Sequence, residues 1–268
     1  MRAMNEQSPV IEVEDLVTYY GDRQILKRIN LAIYPGEISV IMGGSGSGKT
    51  TLLRHLLGLK KPDAGHIRLL GKDLASMPKK DLFELRKNMG VAFQGGALFG
   101  SMTLRENVEL PLREHTQLDD NTIRIMSRMK LELVNLAGFE DLMPSELSGG
   151  MSKRAALARA VVMDPKMLFF DEPSAGLDPV VSAEIDDLIL QLRKAMKMTI
   201  VVVTHELESA FKIADRITVL DQGEILITDT VDNVKNSPNE RIQNFLNRKP
   251  RKDPVDADAY LNRLTGHG

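Results

Sequence analysis

The octet Gly43-Gly44-Ser45-Gly46-Ser47-Gly48-Lys49-Thr50 constrains this chain more than any other stretch. It fits the pattern G-x-x-x-x-G-K-[ST]. It stands between the apolar run Ile38–Met42 and a segment with Leu52, Leu53, Leu56 and Leu57 at helical spacing, where Gly58 is suited to ending the helix near Leu59. Strand, glycine loop and helix in that order make a cradle for phosphate. Glycines let the backbone fold closely enough to aim several N–H groups inward, and the helix start adds its positive end. Lys49 supplies a fixed charge for the β- and γ-phosphates of a nucleotide, Thr50 offers a hydroxyl to Mg²⁺, and Thr51 joins the same helix start. A flexible Gly/Ser turn that happens to precede a lysine is the alternative, and the flanking strand and helix argue against it.

A nucleotide site of this kind needs acidic groups at the end of a buried strand. Asp171-Glu172 follows the apolar run Met167-Leu168-Phe169-Phe170, which is that arrangement. Asp171 would hold the metal through water and Glu172 would polarise the attacking water. Alone, such a pair reads as a solvated loop; with the glycine cradle upstream, the chemical reading is the better one.

The remaining pattern is α/β. Val10–Val13, Ile29–Ile33 and Ile67–Leu70 read as strands, with turns at Gly21-Asp22, Pro35-Gly36 and Gly71-Lys72. Roughly residues 95–160 read as a helical insertion. One helix follows caps at Asp119–Asn121 and carries Ile123, Met126, Met129, Leu133 and Leu136; another runs from about Gly150 to Met163 and stops at Asp164-Pro165. The α/β pattern resumes with a helix at Pro179 behind an Asp178 cap, a buried strand at Thr199–Val203, and a hairpin pairing Ile217–Leu220 with Ile225–Thr228. Residues 247–268 form a polar tail with Arg248, Lys249, Arg251 and Lys252 around Pro250, and no internal repeat is visible.

The net charge of −2 offers no pull toward nucleic acid, and the absence of cysteine excludes disulfides and thiolate metal sites. No run approaches the roughly 20 apolar residues that span a bilayer, and the polar start MRAMNEQSPV carries no secretory signal. A membrane role would therefore fall to a partner chain.

Glycine cradles of this kind occur in many nucleotide binders. Leu147-Ser148-Gly149-Gly150 narrows the class: Ser148 can cap the helix beginning near Gly150, and the two glycines leave its first amides uncovered, a second anion-binding helix start. An ordinary Ser-Gly-Gly helix start would be preferred were the cradle absent. With it, the chain resembles the ABC ATPase family over about residues 9–246. The resemblance implies a P-loop α/β fold with an N-terminal antiparallel β-subdomain and a helical insertion. It makes Leu147–Met151 the signature that closes over ATP held by another subunit. Tyr20 is similar to the aromatic that stacks on adenine, with Tyr19 as fallback. Gln94 resembles the glutamine that touches Mg²⁺ and faces the membrane partner. Asp178, in Ala175-Gly176-Leu177-Asp178, resembles the loop that crosses the dimer interface, and His205 the histidine that contacts the γ-phosphate. Each has an ordinary alternative as packing, cap or surface residue; their common order speaks for the family. Since one chain carries one cradle and one signature, the resemblance implies a second copy, with two ATP bound between the copies.

Finer phrases resemble the ATPases of Mla-type phospholipid transporters: Phe93-Gln94-Gly95-Gly96-Ala97-Leu98-Phe99, Leu112–Leu118 and Leu142–Met151, where Met151 stands at a position usually held by glutamine. That likeness implies a permease dimer beside Gln94–Phe99, with Leu98 and Phe99 as apolar contacts. It also implies a STAS-domain regulator on the surface around Asn121–Lys130, an MCE-type periplasmic lipid-binding subunit, and a place on the cytoplasmic face of a bacterial inner membrane. The tail could reach the neighbouring copy. An ABC ATPase serving amino acids, ions or drugs is the alternative, and a soluble ABC protein without a transport role a more distant one.

Overall fold

A computed structural model describes residues 8–249. Two sheets and a helical layer make up this part of the chain. The first sheet is antiparallel, in the order β2-β1-β4-β5, from β1 (Ile11–Tyr20), β2 (Arg23–Ile33), β4 (Ala64–Leu69) and β5 (Lys72–Asp73). The second runs β10-β9-β3-β8-β7-β6, from β3 (Ile38–Met42), β6 (Met89–Ala92), β7 (Met167–Asp171), β8 (Thr199–Thr204), β9 (Arg216–Asp221) and β10 (Glu224–Thr230). All its pairings are parallel except the β9–β10 hairpin. This is the α/β architecture that the motifs imply.

The parallel strands are apolar throughout because both faces of their sheet are covered. Along β7, Leu168 and Phe170 enter a core shared with helices, while Met167 and Phe169 enter a second core shared with the antiparallel sheet. The helical core is packed by α3 (Leu104–His115), α4 (Asp120–Leu133), α5 (Gly149–Val161) and α6 (Pro179–Met196), joined by α7 (Leu207–Ile213), α8 (Val231–Lys235) and α9 (Glu240–Leu246). On the opposite face, α1 (Lys49–Leu56) and α2 (Lys79–Arg86) lie against the second core through Leu52, Leu53, Leu56 and Leu85.

Helix boundaries follow local chemistry. Asp119 accepts from the N–H groups of Asn121 and Thr122 to start α4, and Asp178 accepts from those of Val180 and Val181 with Pro179 at the first helical position of α6. The first helix ends earlier than Leu59: Gly58, at φ 64°, donates to His55 O while Leu59 donates to Arg54 O, the paired bonds that close a helix through a left-handed glycine.

Three further sequence expectations need correction. β1 and β2 are much longer than Val10–Val13 and Ile29–Ile33, because left-handed residues at Asp15 (φ 46°) and Arg28 (φ 52°) absorb polar interruptions that break the alternation. On α4 Ile123, Ser127 and Leu131 are buried, and Met126 and Leu133 pack partly buried against the same core; Met129 points to solvent at 62% exposure, and Leu136 is buried beyond the helix end. The helix read from Gly150 to Met163 begins at Gly149 and ends at Val161. Most of the basic tail, residues 250–268, lies outside the described residues.

Candidate functional site

Strand register collects the sequence-predicted groups along one edge. Met42 of β3 pairs with Thr204 of β8, Val203 of β8 with Asp171 of β7, and Phe170 of β7 with Ala92 of β6. The residues that follow these strand ends are therefore neighbours: Gly43, His205, Glu172 and, two positions past β6, Gln94. Ligands of open parallel sheets bind at such carboxyl ends.

The loop from Gly43 to Gly48 is folded as its glycines require. A side-chain carbon at Gly43 would lie 2.1 Å from Leu220 O and 2.6 Å from Ser47 Oγ, and Gly48 holds φ 108°, which side-chain-bearing residues rarely adopt. Gly44 O accepts from Ser47 N–H, Ser45 and Gly46 stand exposed at the tip, and Thr50 and Thr51 lie on the first turn of α1. Gly223, in the β9–β10 turn, braces the loop from behind: its N–H donates to Ser47 O at 3.0 Å, and its O accepts from Lys27 N–H. The sequence signalled a turn there and nothing of this contact.

Lys49 Nζ folds back over the loop, donating to Gly43 O at 2.8 Å and Gly44 O at 3.1 Å. Burial lowers its proton affinity, and the charges of Glu172 and Asp171 oppose that shift. Asp171 is displaced upward by burial and then by its neighbour Glu172, with Lys49, Lys153 and Arg54 pulling the other way. A desolvated Asp171 set against a desolvated ammonium leaves this edge prepared for a compensating polyvalent ligand.

Glu172 has left-handed backbone at φ 51°, a strain of about 1–3 kcal/mol of the kind found at functional positions. Its carboxylate accepts from Thr204 Oγ at 3.1 Å and His205 N–H at 3.3 Å, and both its oxygens lie 2.9 Å from His205 Nδ1. His205 is itself exposed, with Nε2 3.3 Å from Glu206. Gln94 is exposed beyond β6, and its backbone O accepts from Lys153 Nζ on α5. The same ammonium donates to Glu172 O at 3.2 Å. Lys153 escaped the sequence reading because a lysine on a helix after a glycine pair looks like any solvated residue.

Tyr20 and Tyr19 are both about half exposed at the end of β1. Tyr20 is the one tied to the cradle helix: Arg54 beside its hydroxyl is the main reason that its proton affinity is lowered, and Lys60 and Thr51 act in the same direction. Lys60 Nζ sits 3.8 Å from its ring centroid. Tyr19 lends only its backbone, to Asp63 and Lys60. Beneath them, buried His55 links Thr18 Oγ (2.6 Å) to Lys60 O (2.9 Å), and burial depresses its proton affinity.

Ser148 caps α5 by accepting from Met151 N–H at 3.2 Å. Gly149 is exposed, whereas Gly150 is buried, and a side-chain carbon there would lie 2.7 Å from Val181 on α6; the second glycine thus serves helix packing as well as open amides. Met151 packs against the helical core, where an amide would need partners. Asp178 is exposed and caps α6, with Val180 beside it at 70% exposure.

The chain is similar to known proteins along most of its length. Residues 26–175 match the ABC transporter family. The chain is 44% identical over 258 residues to the intermembrane phospholipid transport system ATP-binding protein MlaF of Haemophilus influenzae, covering 95% of this chain and 98% of that protein. It is 41% identical over 267 residues to the "Probable ribonucleotide transport ATP-binding protein mkl" of Mycobacterium tuberculosis, covering 98% and 74%. Among solved structures it is similar to cbiO1 of Clostridium perfringens, part of the ABC transporter complex cbiONQ (TM-score 0.80, 31% identity, 86% of this chain and 92% of that one). It is also similar to a dimeric post-hydrolysis state of the ATP-binding cassette MJ0796 bound to ADP and Pi (TM-score 0.75, 30% identity, 82% and 98%). With the cradle, the acidic strand end and the capped glycine pair already in place, these likenesses agree on one conclusion: the chain belongs to the ABC transporter family and is an ATP-hydrolysing subunit of it.

Proposed function

We propose that this chain binds ATP·Mg²⁺ at the strand edge described above, pairs with a second copy around two ATP, and drives a phospholipid permease. The observation that carries the site is the convergence of Lys49, Asp171, Glu172 and His205 on the loop Gly43–Gly48. The loop fits a phosphate: its glycines stand where side chains would clash, and Ser47 Oγ is buried with no partner of its own. The donors also fit a magnesium ion that arrives with its nucleotide. Among the described residues no three His, Cys, Asp or Glu cluster to hold a metal, whereas Thr50, Gln94 and Asp171 offer three hard oxygens. When bound, the ion would neutralise charge on the phosphates.

In this reading Lys49 leaves the carbonyls of Gly43 and Gly44 for the phosphates, and the loop amides hold their oxygens. Glu172 positions and polarises the attacking water. His205, now paired with Glu172, turns to the γ-phosphate and so frees the carboxylate. Tyr20 supplies the adenine stack. Ser148, Gly149 and Gly150 cover the ATP of the other copy, and Asp178 with exposed Val180 lies at the seam between copies. Loss of the γ-phosphate removes the bridge and opens the pair.

The cargo rests on the likeness to MlaF along almost the whole chain. No helix among the described residues is long and apolar enough to cross a membrane; in this reading a permease dimer does the crossing, and the chain sits beside it at the cytoplasmic face of an inner membrane. Exposed Phe93 and Phe99 beside Gln94 supply an apolar surface for the permease, while Leu98 packs inward. Ile125 and Met129, exposed one turn apart on α4, support a STAS-domain regulator there. The likeness to mkl favours a second reading, in which a different cargo is moved. Purification of the chain with its partners from its native membrane separates the two: an MCE-type subunit and bound phospholipid are expected, and a complex carrying ribonucleotide instead would overturn the lipid reading.

A further inference from the structure

Lys153 stands on the second turn of α5, five residues after the Ser148 cap. Its half-buried side chain runs off the helix toward the strand edge and spans two backbone carbonyls, Gln94 O beyond β6 and Glu172 O beyond β7. These peptides belong to different loops, and among the described residues no other side chain bonds both. Glu172 is the residue with left-handed backbone, so a charged donor on its carbonyl steadies a conformation that the residue would otherwise leave. Six residues further along α5, Arg159 donates to Gly96 O at 3.0 Å and Ala97 O at 2.8 Å. The far end of the Gln94 loop is thus held independently, and the two bonds of Lys153 act on Gln94 and Glu172. Burial weakens the hold of Lys153 on its proton, while Glu172 and Asp171 strengthen it and favour the charged form that makes both bonds.

We infer that Lys153 is a positioning residue for hydrolysis, one ammonium that fixes the Glu172 peptide and the Gln94 loop to the helix capped by Ser148. The inference rests on the reading of Glu172 as the group that polarises water. It makes α5 a rigid link: its first turn faces the nucleotide of the other copy, while its second turn sets the catalytic carboxylate of its own. A shift of α5 as the pair closes would then move Glu172 directly.

The test compares steady-state ATP hydrolysis and melting temperature of the full chain with Lys153→Met, Lys153→Arg and Glu172→Gln. Loss of a charge-assisted bond that orients Glu172 should lower kcat about tenfold or more in Lys153→Met. KM for ATP should stay within about twofold, since no phosphate contact is removed. Lys153→Arg, which can reach the same carbonyls, should recover most of the rate; a purely structural lysine would change melting temperature without this split. Should Lys153→Met fail to fold, Lys153→Gln replaces it, with the same rate loss expected. A parental kcat in the folded neutral variant, or an Arg variant no faster than it, overturns the inference. Glu172→Gln keeps the two failures apart. If it hydrolyses ATP at the parental rate, the reading of Glu172 itself has failed; if it is inactive while the neutral Lys153 variant is fully active, only the positioning role has.

Discussion

Replacing Glu172 with glutamine separates chemistry from fold at this site. The side chain is 12% exposed and accepts from Thr204 Oγ and His205 N–H. Glutamine has the same length and keeps one oxygen to accept those bonds, so the exchange should cost less than about 1 kcal/mol of stability. The left-handed φ of 51° is a backbone matter and is equally strained in either residue. What vanishes is the carboxylate. A positioned general base contributes about a hundred- to ten-thousandfold, so kcat should fall by that factor, or about 2.7–5.4 kcal/mol of barrier. ATP affinity should hold or rise, because a negative charge beside the phosphates is removed while Lys49 keeps its place. Phosphate release, equilibrium ATP binding and gel filtration with ATP read these three quantities. An ATP-stable dimer with almost no turnover is expected. A folded variant that hydrolyses ATP within a few-fold of the parent would refute the assignment of Glu172.

Lys49→Ala removes an ammonium whose phosphate bonds are worth about 1.5–3 kcal/mol each, so equilibrium ATP binding should weaken at least about tenfold. Tyr20→Ala should weaken ATP binding more than Tyr19→Ala does, because Tyr20 is the ring anchored to Arg54 and Lys60; a larger loss from Tyr19 would reverse that choice. His55 has its proton affinity depressed by burial, so the unfolded chain binds the proton more readily. Its contribution is intact above the ordinary value of 6.5 and is lost as pH falls below it toward the lower folded value. Melting temperature should therefore fall less in His55→Gln than in the parent between about pH 7.5 and about pH 5.5, and equal falls would count against this role.

How far the sequence reaches depends on how local each feature is. The cradle at Gly43–Thr50, the Asp178 and Ser148 caps and the buried runs Met167–Phe170 and Thr199–Val203 were legible, because each is made by neighbours along the chain. The full lengths of β1 and β2 were not. A left-handed residue at Asp15 or Arg28 repairs the alternation at a place where the pattern reads as broken. Met129 was misassigned because helical spacing fits several stripes; the packing of α4 against α3 and α5 turned Ile123, Met126 and Leu133 inward as read, added Ser127 and Leu131, and left Met129 outside.

From sequence alone, then, come the chemistry of each loop, the α/β order of the elements and the family they resemble. Periodicity and motif spacing are properties of adjacent residues. Tertiary structure alone decided which loops meet. Parallel register set the ends of β3, β8, β7 and β6 side by side, so residues separated by more than a hundred positions share one edge. It also placed Gly223 behind the cradle, Val181 against Gly150 and Lys153 between Gln94 and Glu172. Those contacts depend on where distant segments come to rest in space, which spacing along a chain does not encode.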